Sequence, residues 1–391
     1  MAEEIAVGIE FKFLIPFLPC GGGSEEKRGA GPAGPPIRET VHVLDAQKIQ
    51  VSEKKALWRD TFAGVVNVIK GVPGQDAISC NELEKQQARE RDFWATKWIV
   101  KDSKSAEPDK DHPESKNYAW VPVEINSPKM PWSDPRTLQT IEAVVKAVRT
   151  TYHVVANYSC EFHVHVGRMD GRPFTLPAMK RMAILLWFAE PIMRKVKDPR
   201  SPNFDHTYTW SFAQREHSRL SRTIANSPKL YTRNMLDGME PALVSYLQRQ
   251  DAAFPEHQRA IGHIWGALTH RELGRLMSGT DKPHRRLGYN FSAMGEEDER
   301  ACTNPKTLEC RFLEGVADEK VIGGWIRAFV AMVQTGLDGQ YAQRRFANTV
   351  LRLINEADLP ISRAFGRLME DLGIEEKDYR PVQAFIEGIY R

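Results

Sequence analysis

Few folds accommodate the stretch Cys160-Glu161-Phe162-His163-Val164-His165-Val166-Gly167. Read as a β-strand, with side chains alternating at period two, it sends His163 and His165 to one side. Phe162, Val164 and Val166 go to the other. The apolar side needs a core to bury it. The opposite side carries two imidazoles, which can grip a metal or an anion, or hydrogen-bond one another with no ligand at all. A chain built around such a strand needs a sheet with one packed face and one polar face.

Three further segments alternate in the same way. Residues 5–16 place Ala6, Gly8, Glu10 and Lys12 opposite Val7, Ile9, Phe11 and Phe13. Residues 118–127 set Glu124 and Asn126 against Val123 and Ile125, and Ser127-Pro128 ends the run. Residues 307–312 set Glu309 and Arg311 against Leu308, Cys310 and Phe312. Residues 94–100 and 287–293 read as additional strands. Apolar residues at helical spacing predict helices over 57–70, 135–152, 177–196 and 321–333, and the C-terminal part, 320–391, reads as helical. The stretch 197–284 is polar and poorly periodic. Strands separated by helices could build a parallel α/β sheet, but alternation argues that helices cover only one face. The predicted fold class is therefore α+β: a mainly antiparallel sheet with a polar active-site face and helices packed on the other. The chain, 1–391, reads as a single domain with flexible loops over 20–37 and 101–117, which could close over a ligand.

Composition narrows the function classes. A net charge of +3 gives no electrostatic case for nucleic acid, and the basic run Arg215, Arg219, Arg222, Lys229 and Arg233 has no accompanying motif. The strongest apolar patch, 184–188, falls far short of the ~20 residues of a membrane span. Met1-Ala2-Glu3-Glu4 lacks the basic start of a signal peptide. The five cysteines, at 20, 80, 160, 302 and 310, read as reduced thiols. A cytoplasmic protein with neither membrane nor nucleic acid as partner is expected; oligomeric state is not legible.

Glu10, Glu124, His163 with His165, and Glu309 with Arg311 all fall on polar strand faces. If those faces converge, repulsion among the carboxylates calls for divalent cations, and oxygen ligands suit Mg²⁺ or Mn²⁺. Arginine and lysine beside a metal suit polyphosphate. Lys282, His284, Arg285 and Arg286 supply further basic groups just before Tyr289-Asn290. Unrelated solvated charges on separate faces are the competing reading. So is a zinc hydrolase built on Cys160, His163 and His165, although no further Cys or His stands at zinc-site spacing. Cys160 is expected to pack in the core, not to act as a nucleophile.

The same segments, in order, resemble the fungal amidoligase family. That family lies in the carboxylate–amine ligase superfamily with glutamine synthetase and glutamate–cysteine ligase. The resembling pieces are Gly8-Ile9-Glu10-Phe11, Trp98 with Asp102-Ser103, Val123-Glu124-Ile125-Asn126-Ser127-Pro128, and the two-histidine strand itself. Arg286 with Asn290 and Thr307-Leu308-Glu309-Cys310-Arg311-Phe312-Leu313-Glu314-Gly315 complete the series. The resemblance implies a glutamine synthetase-like fold and ATP-dependent amide-bond formation through an acyl phosphate. It implies ATP and Mg²⁺ (or Mn²⁺) as cofactors, and small-molecule carboxylate and amine substrates, an amino acid or small peptide among them. It implies Glu10, Glu124 and Glu309 as metal ligands, Arg311, Arg286 and His163 as catalytic residues, and His165, Lys12 and Asn290 as cofactor contacts. One departure stands out. The family's first strand reads Glu-x-Glu, and here the second acid is Lys12. That cation could displace an ion, replace its charge, or mark a binding protein that has lost catalysis.

Overall fold

The computed structural model describes residues 4–17, 19–20, 43–44, 51–110, 115, 118–194, 197–198, 200, 217–226, 236–249, 255–280, 286–295, 306–355 and 359–389. In chain order, strands β1 (Ile5–Phe17), β2 (Pro19–Cys20) and β3 (Val43–Leu44) precede helix α1 (Val51–Lys70). Strand β4 (Ala77–Ser79), helix α2 (Cys80–Lys85) and strands β5 (Trp98–Asp102), β6 (Ala119–Asn126) and β7 (Met130–Pro131) come next. Helix α3 (Arg136–Thr151), strand β8 (Glu161–Arg168) and helix α4 (Leu176–Arg194) follow. Then come α5 (Arg219–Asn226), α6 (Pro241–Leu247), α7 (Pro255–Gly266) and α8 (His270–Leu276), with β9 (Tyr289–Asn290), α9 (Ser292–Gly295) and β10 (Leu308–Glu314) after them. Helices α10 (Glu319–Thr335), α11 (Gln340–Asn355), α12 (Ile361–Asp371) and α13 (Glu376–Ile389) complete the order. The fold is mixed α+β with mostly antiparallel strand pairing, as the alternation predicts; β4–β5 and β2–β3 pair in parallel.

The chain divides into two compact, interleaved units. The sheet unit comprises residues 8–163 and 314–323; the helical unit comprises 1–7, 164–313 and 324–391.

In the sheet unit the strands run in the order β4, β5, β6, β1 and the first residues of β8. Register is set by two antiparallel ladders: Lys101 lies opposite Glu124 and Glu124 opposite Lys12, while Ile99 lies opposite Asn126 and Asn126 opposite Glu10. Helices α1 and α3 pack together, and α1 lies against β4, β5 and β6. Their apolar stripes, Phe62, Val65, Val66 and Ile69 on α1 and Ile141, Val145 and Val148 on α3, are buried. Gly71 ends α1 by donating its N–H to the Asn67 and Val68 carbonyls, and Gly74 turns the chain at a φ of +77°.

The described part of the predicted 101–117 loop is anchored. Lys101 and Asp102 still belong to β5. Glu107 donates its N–H to Ser159 Oγ at 2.8 Å, and its carbonyl accepts from Ser159 Oγ and Asn157 Nδ2. Ala106 is buried with Leu14 and Cys160. The polar face of β1 is thereby confined to Glu10 and Lys12, since apolar residues cover its C-terminal end. Most of the predicted 20–37 loop lies outside the described residues.

In the helical unit the later residues of β8, then β10 and β9, are neighbours. Glu309 lies opposite Asn290 and Cys310 opposite Tyr289. Helix α4 is buried over most of its surface, with Met179, Met182, Leu186, Ala189 and Met193 joined by Ala183, Ile184, Leu185 and Trp187, and it packs against α7, α8, α11 and α12. Tyr289 stacks on Phe329 of α10, the ring centroids 6.1 Å apart. Among its described residues, the poorly periodic stretch 197–284 holds four helices, α5 to α8. The strand expected over 287–293 shrinks to Tyr289–Asn290, because α9 starts at Ser292. Among the described residues, no helix is long and apolar enough to cross a membrane.

Candidate active site

In the sheet unit the two ladders extend by contact onto β8. Lys12 Nζ donates to Glu161 Oε2 at 3.2 Å, and both side chains are almost wholly buried. Lys101 Nζ lies 3.4 Å from Glu124 Oε1 and 3.0 Å from Glu90 Oε2. A row of alternating sign, Lys101–Glu124–Lys12–Glu161, thus crosses β5, β6, β1 and β8. Side chains directly opposite on adjacent strands are the nearest cross-strand neighbours, so opposite charges in such a row attract along its length.

A second row lies beside it: Asn126, Glu10 and His163. His163 Nδ1 is 2.6 Å from Glu10 Oε2, its Nε2 is 3.2 Å from Glu161 Oε2, and the ring is fully buried. His163 therefore ties the two rows together and fixes Glu10. The Asn126 amide bridges Glu124 Oε1 and Lys101 Nζ, at 3.1 Å each, with nitrogen toward the carboxylate and oxygen toward the ammonium. Next to Glu10, the Ile9 N–H donates to Ser127 Oγ at 2.9 Å, and Ser127 returns its own N–H to the Ile9 carbonyl. The Ser-Pro at the end of β6 thus clamps the backbone that carries Glu10.

Burial, followed by the charge of Glu10, pushes the Glu124 carboxyl above its ordinary value of 4.5, against the pull of Lys101, Lys12 and His163. Burial alone would lower Lys101, but Glu124 and Glu90 outweigh it and hold that ammonium well above its ordinary range. Glu10, with 23% of its side chain exposed, is the most accessible carboxylate of the two rows. Two carboxylates that disfavour each other's charge, one of them reachable from solvent, form an oxygen donor set suited to Mg²⁺ or Mn²⁺.

In the helical unit Glu309 is the hub. Asn290 Nδ2 donates to Glu309 Oε2 at 2.7 Å, Arg311 forms a close ion pair with Glu309 Oε1, and His165 Nε2 lies 3.8 Å from that same oxygen. Asn290 is itself fixed by the Ser292 N–H, which donates to its Oδ1 at 2.9 Å. His165, about a quarter exposed, has Nδ1 3.4 Å from Thr307 Oγ1. A Cβ added at Gly167 would come within 2.9 Å of Thr307, which explains the glycine beside this site. The Glu314-Gly315 turn has a similar cause in the sheet unit. Gly315 donates its N–H to the Cys160 carbonyl at 2.6 Å, and an added Cβ would sit 2.4 Å from Cys160 Cβ.

The structure thus gathers Glu10, Lys12, Glu124 and His163 in the sheet unit, and His165, Asn290, Glu309 and Arg311 in the helical unit. Lys12 is buried against Glu161, Asn290 donates to Glu309, and both ring nitrogens of buried His163 face carboxylates. Arg286 is exposed ahead of β9; Lys282, His284 and Arg285 lie outside the described residues. Cys160 is buried beside Leu14 and Ala106, and burial pushes its thiol up to about 12, the mark of an inert packing residue. That removes the basis for a zinc set including it. Sequence reasoning misses Glu161 and Lys101, though the alternation of β8 already puts Glu161 on the side of His163 and His165.

A family model described as "Putative amidoligase enzyme" matches residues 72–333, about two-thirds of the chain. Lys101, Glu124, Glu161, both histidines, Asn290, Glu309 and Arg311 fall inside the matched span; β1, with Glu10 and Lys12, precedes it. No curated protein matches the chain.

Proposed function

The chain belongs to the amidoligase family, whose name denotes a ligase-type enzyme, and we propose that it is an ATP-dependent carboxylate–amine ligase with a glutamine synthetase-like fold. The acid or amine is an amino acid or a small peptide. A carboxylate resists attack by an amine, because its charge repels the nucleophile and its leaving group would be oxide. In the proposed reaction a carboxylate oxygen of the acid attacks the γ-phosphorus of ATP, and the bond from that phosphorus to ADP breaks, leaving an acyl phosphate. The amine then attacks the carbonyl carbon, the carbon–oxygen bond to phosphate breaks, and the nitrogen loses a proton as the amide forms. Mg²⁺ or Mn²⁺ would supply charge neutralisation on the phosphates.

Glu10 and Glu124 would hold a cation in the sheet unit, and Glu309 would hold one in the helical unit. Arg311 shifts from Glu309 toward the transferred phosphoryl group, where its planar donors match phosphate oxygens. His165, the more exposed of the two histidines, contacts the nucleotide, and Arg286 takes phosphate or a substrate carboxylate. Lys12, Asn290 and His163 position these groups. The observation that carries the proposal is the gathering of Glu10, Glu124 and His163 on one polar face of the sheet unit, where burial and the charge of Glu10 hold the Glu124 carboxyl above its ordinary value despite Lys12 opposite it and Lys101 3.4 Å away. The competing reading, a binding protein that has lost catalysis, rests on Lys12. The match of Lys12 to Glu161 supports a charge-balanced site in place of a damaged one.

Mg²⁺-dependent release of ADP and phosphate, measured against a panel of amino acids and amines, tests the proposal. Turnover that disappears in Glu309→Ala and Glu10→Ala is expected. Nucleotide binding without turnover for any pair would favour the binding protein.

A further inference from the structure

The alternating row has a consequence for how many cations the sheet unit accepts. Lys12 stands between Glu124, its partner in register, and Glu161, 3.2 Å from its ammonium. A divalent ion bridging Glu124 and Glu161 would need the space and the charge that this ammonium supplies. The residue is only 6% exposed and its ammonium is held by Glu161, so vacating the position means breaking a buried ion pair. Glu10 differs. It lies opposite the neutral Asn126, is partly exposed, and is held by the His163 ring.

We propose that Lys12 is a built-in counter-cation that closes the gap between Glu124 and Glu161 to metal, so that the sheet unit takes a single divalent ion, seated on Glu10 and Glu124. The seat on Glu10 rests on the ligase reading; the blocking role of Lys12 rests on the row itself. A fixed ammonium and a bound ion neutralise the same carboxylates, but only the ammonium is permanent. It holds Glu161 in place against His163 Nε2, and so holds the ring that contacts Glu10 whether or not metal is bound. Lys12 is thus a positioning residue whose charge sets the metal count.

Mn²⁺ stoichiometry of the full chain, read by electron paramagnetic resonance of free ion at equilibrium, tests this without any turnover. Lys12→Gln should bind one more Mn²⁺ per chain than the wild type, and the added site should vanish in Lys12→Gln/Glu161→Gln. Glu161→Gln alone, which leaves Lys12 beside Glu124, should keep the wild-type count. An unchanged count in folded Lys12→Gln would overturn the proposal, as would a site lost in Glu161→Gln, since Glu161 would then be a ligand of the native protein. A wild type that binds no Mn²⁺ would defeat the ligase reading of Glu10, while the difference between wild type and Lys12→Gln would still decide the role of Lys12.

Discussion

Replacing Lys12 by methionine keeps its length and removes its charge. Glu161 would then remain in a site where its side chain is only 2% exposed, with the His163 ring still beside it, and Glu124 would lose a cation from its own row. Removing one member of a buried ion pair costs about 3–5 kcal/mol, mainly because the survivor is left as an uncompensated charge. Replacing both members with apolar residues is far less damaging, because no charge is stranded. Lys12→Met should therefore lower stability by about 3–5 kcal/mol, and Lys12→Met/Glu161→Leu should recover part of that loss despite carrying two changes. The part not recovered is the cost of losing the contact between Glu161 and buried His163, about 1–3 kcal/mol. Urea unfolding followed by tryptophan fluorescence, with an unchanged denaturant slope, gives the numbers for a double-mutant cycle. A double variant that loses as much as the two singles summed would refute the reasoning, because the two charges would then be energetically independent.

Other consequences are as direct. The Glu124 carboxyl is raised in the folded protein, so ionised Glu124 costs stability at neutral pH, and that cost fades as pH falls through the raised value toward 4.5. The advantage of Glu124→Gln over wild type in urea midpoint should accordingly narrow on acidification; an advantage independent of pH would contradict the assignment. Gly315→Ala should cost at least about 1–3 kcal/mol from overpacking against Cys160, a loss that thermal melting would register. Cys160 should resist thiol reagents in the native protein and react only after unfolding, as mass spectrometry of alkylated peptides would report.

Much of the sheet is legible in the sequence because period-two alternation is a local property. It suffices to put Glu10 with Lys12, Glu124 with Asn126, and Glu309 with Arg311 on shared faces. Register is not local. Nothing in β1 or β6 alone says that Lys12 faces Glu124 and Glu10 faces Asn126, so the alternating-sign row has no signature in either strand by itself. Lys101 escapes for a related reason: the charged residues after it suggest a loop, while pairing with Glu124 carries β5 through Asp102. The helices α5 to α8 are 7–12 residues long and fall in a polar stretch, too short to display a clear stripe. The two interleaved units depend on contacts far apart in the chain. Cys160 is legible as a packing residue, because a thiol beside a histidine in sequence carries no signal of reactivity without an electropositive, accessible setting.

The central claim is transfer of the γ-phosphoryl group to a carboxylate. Incubating the protein with Mg-ATP, an amine pool and amino acids labelled with ¹⁸O in their carboxyl groups tests it whichever amino acid is the substrate. An acyl-phosphate route carries one carboxylate oxygen into the released phosphate, so mass spectrometry should find ¹⁸O-phosphate alongside ADP, and neither in Glu309→Ala. Amide formation with unlabelled phosphate, or with AMP and pyrophosphate as products, would contradict the account.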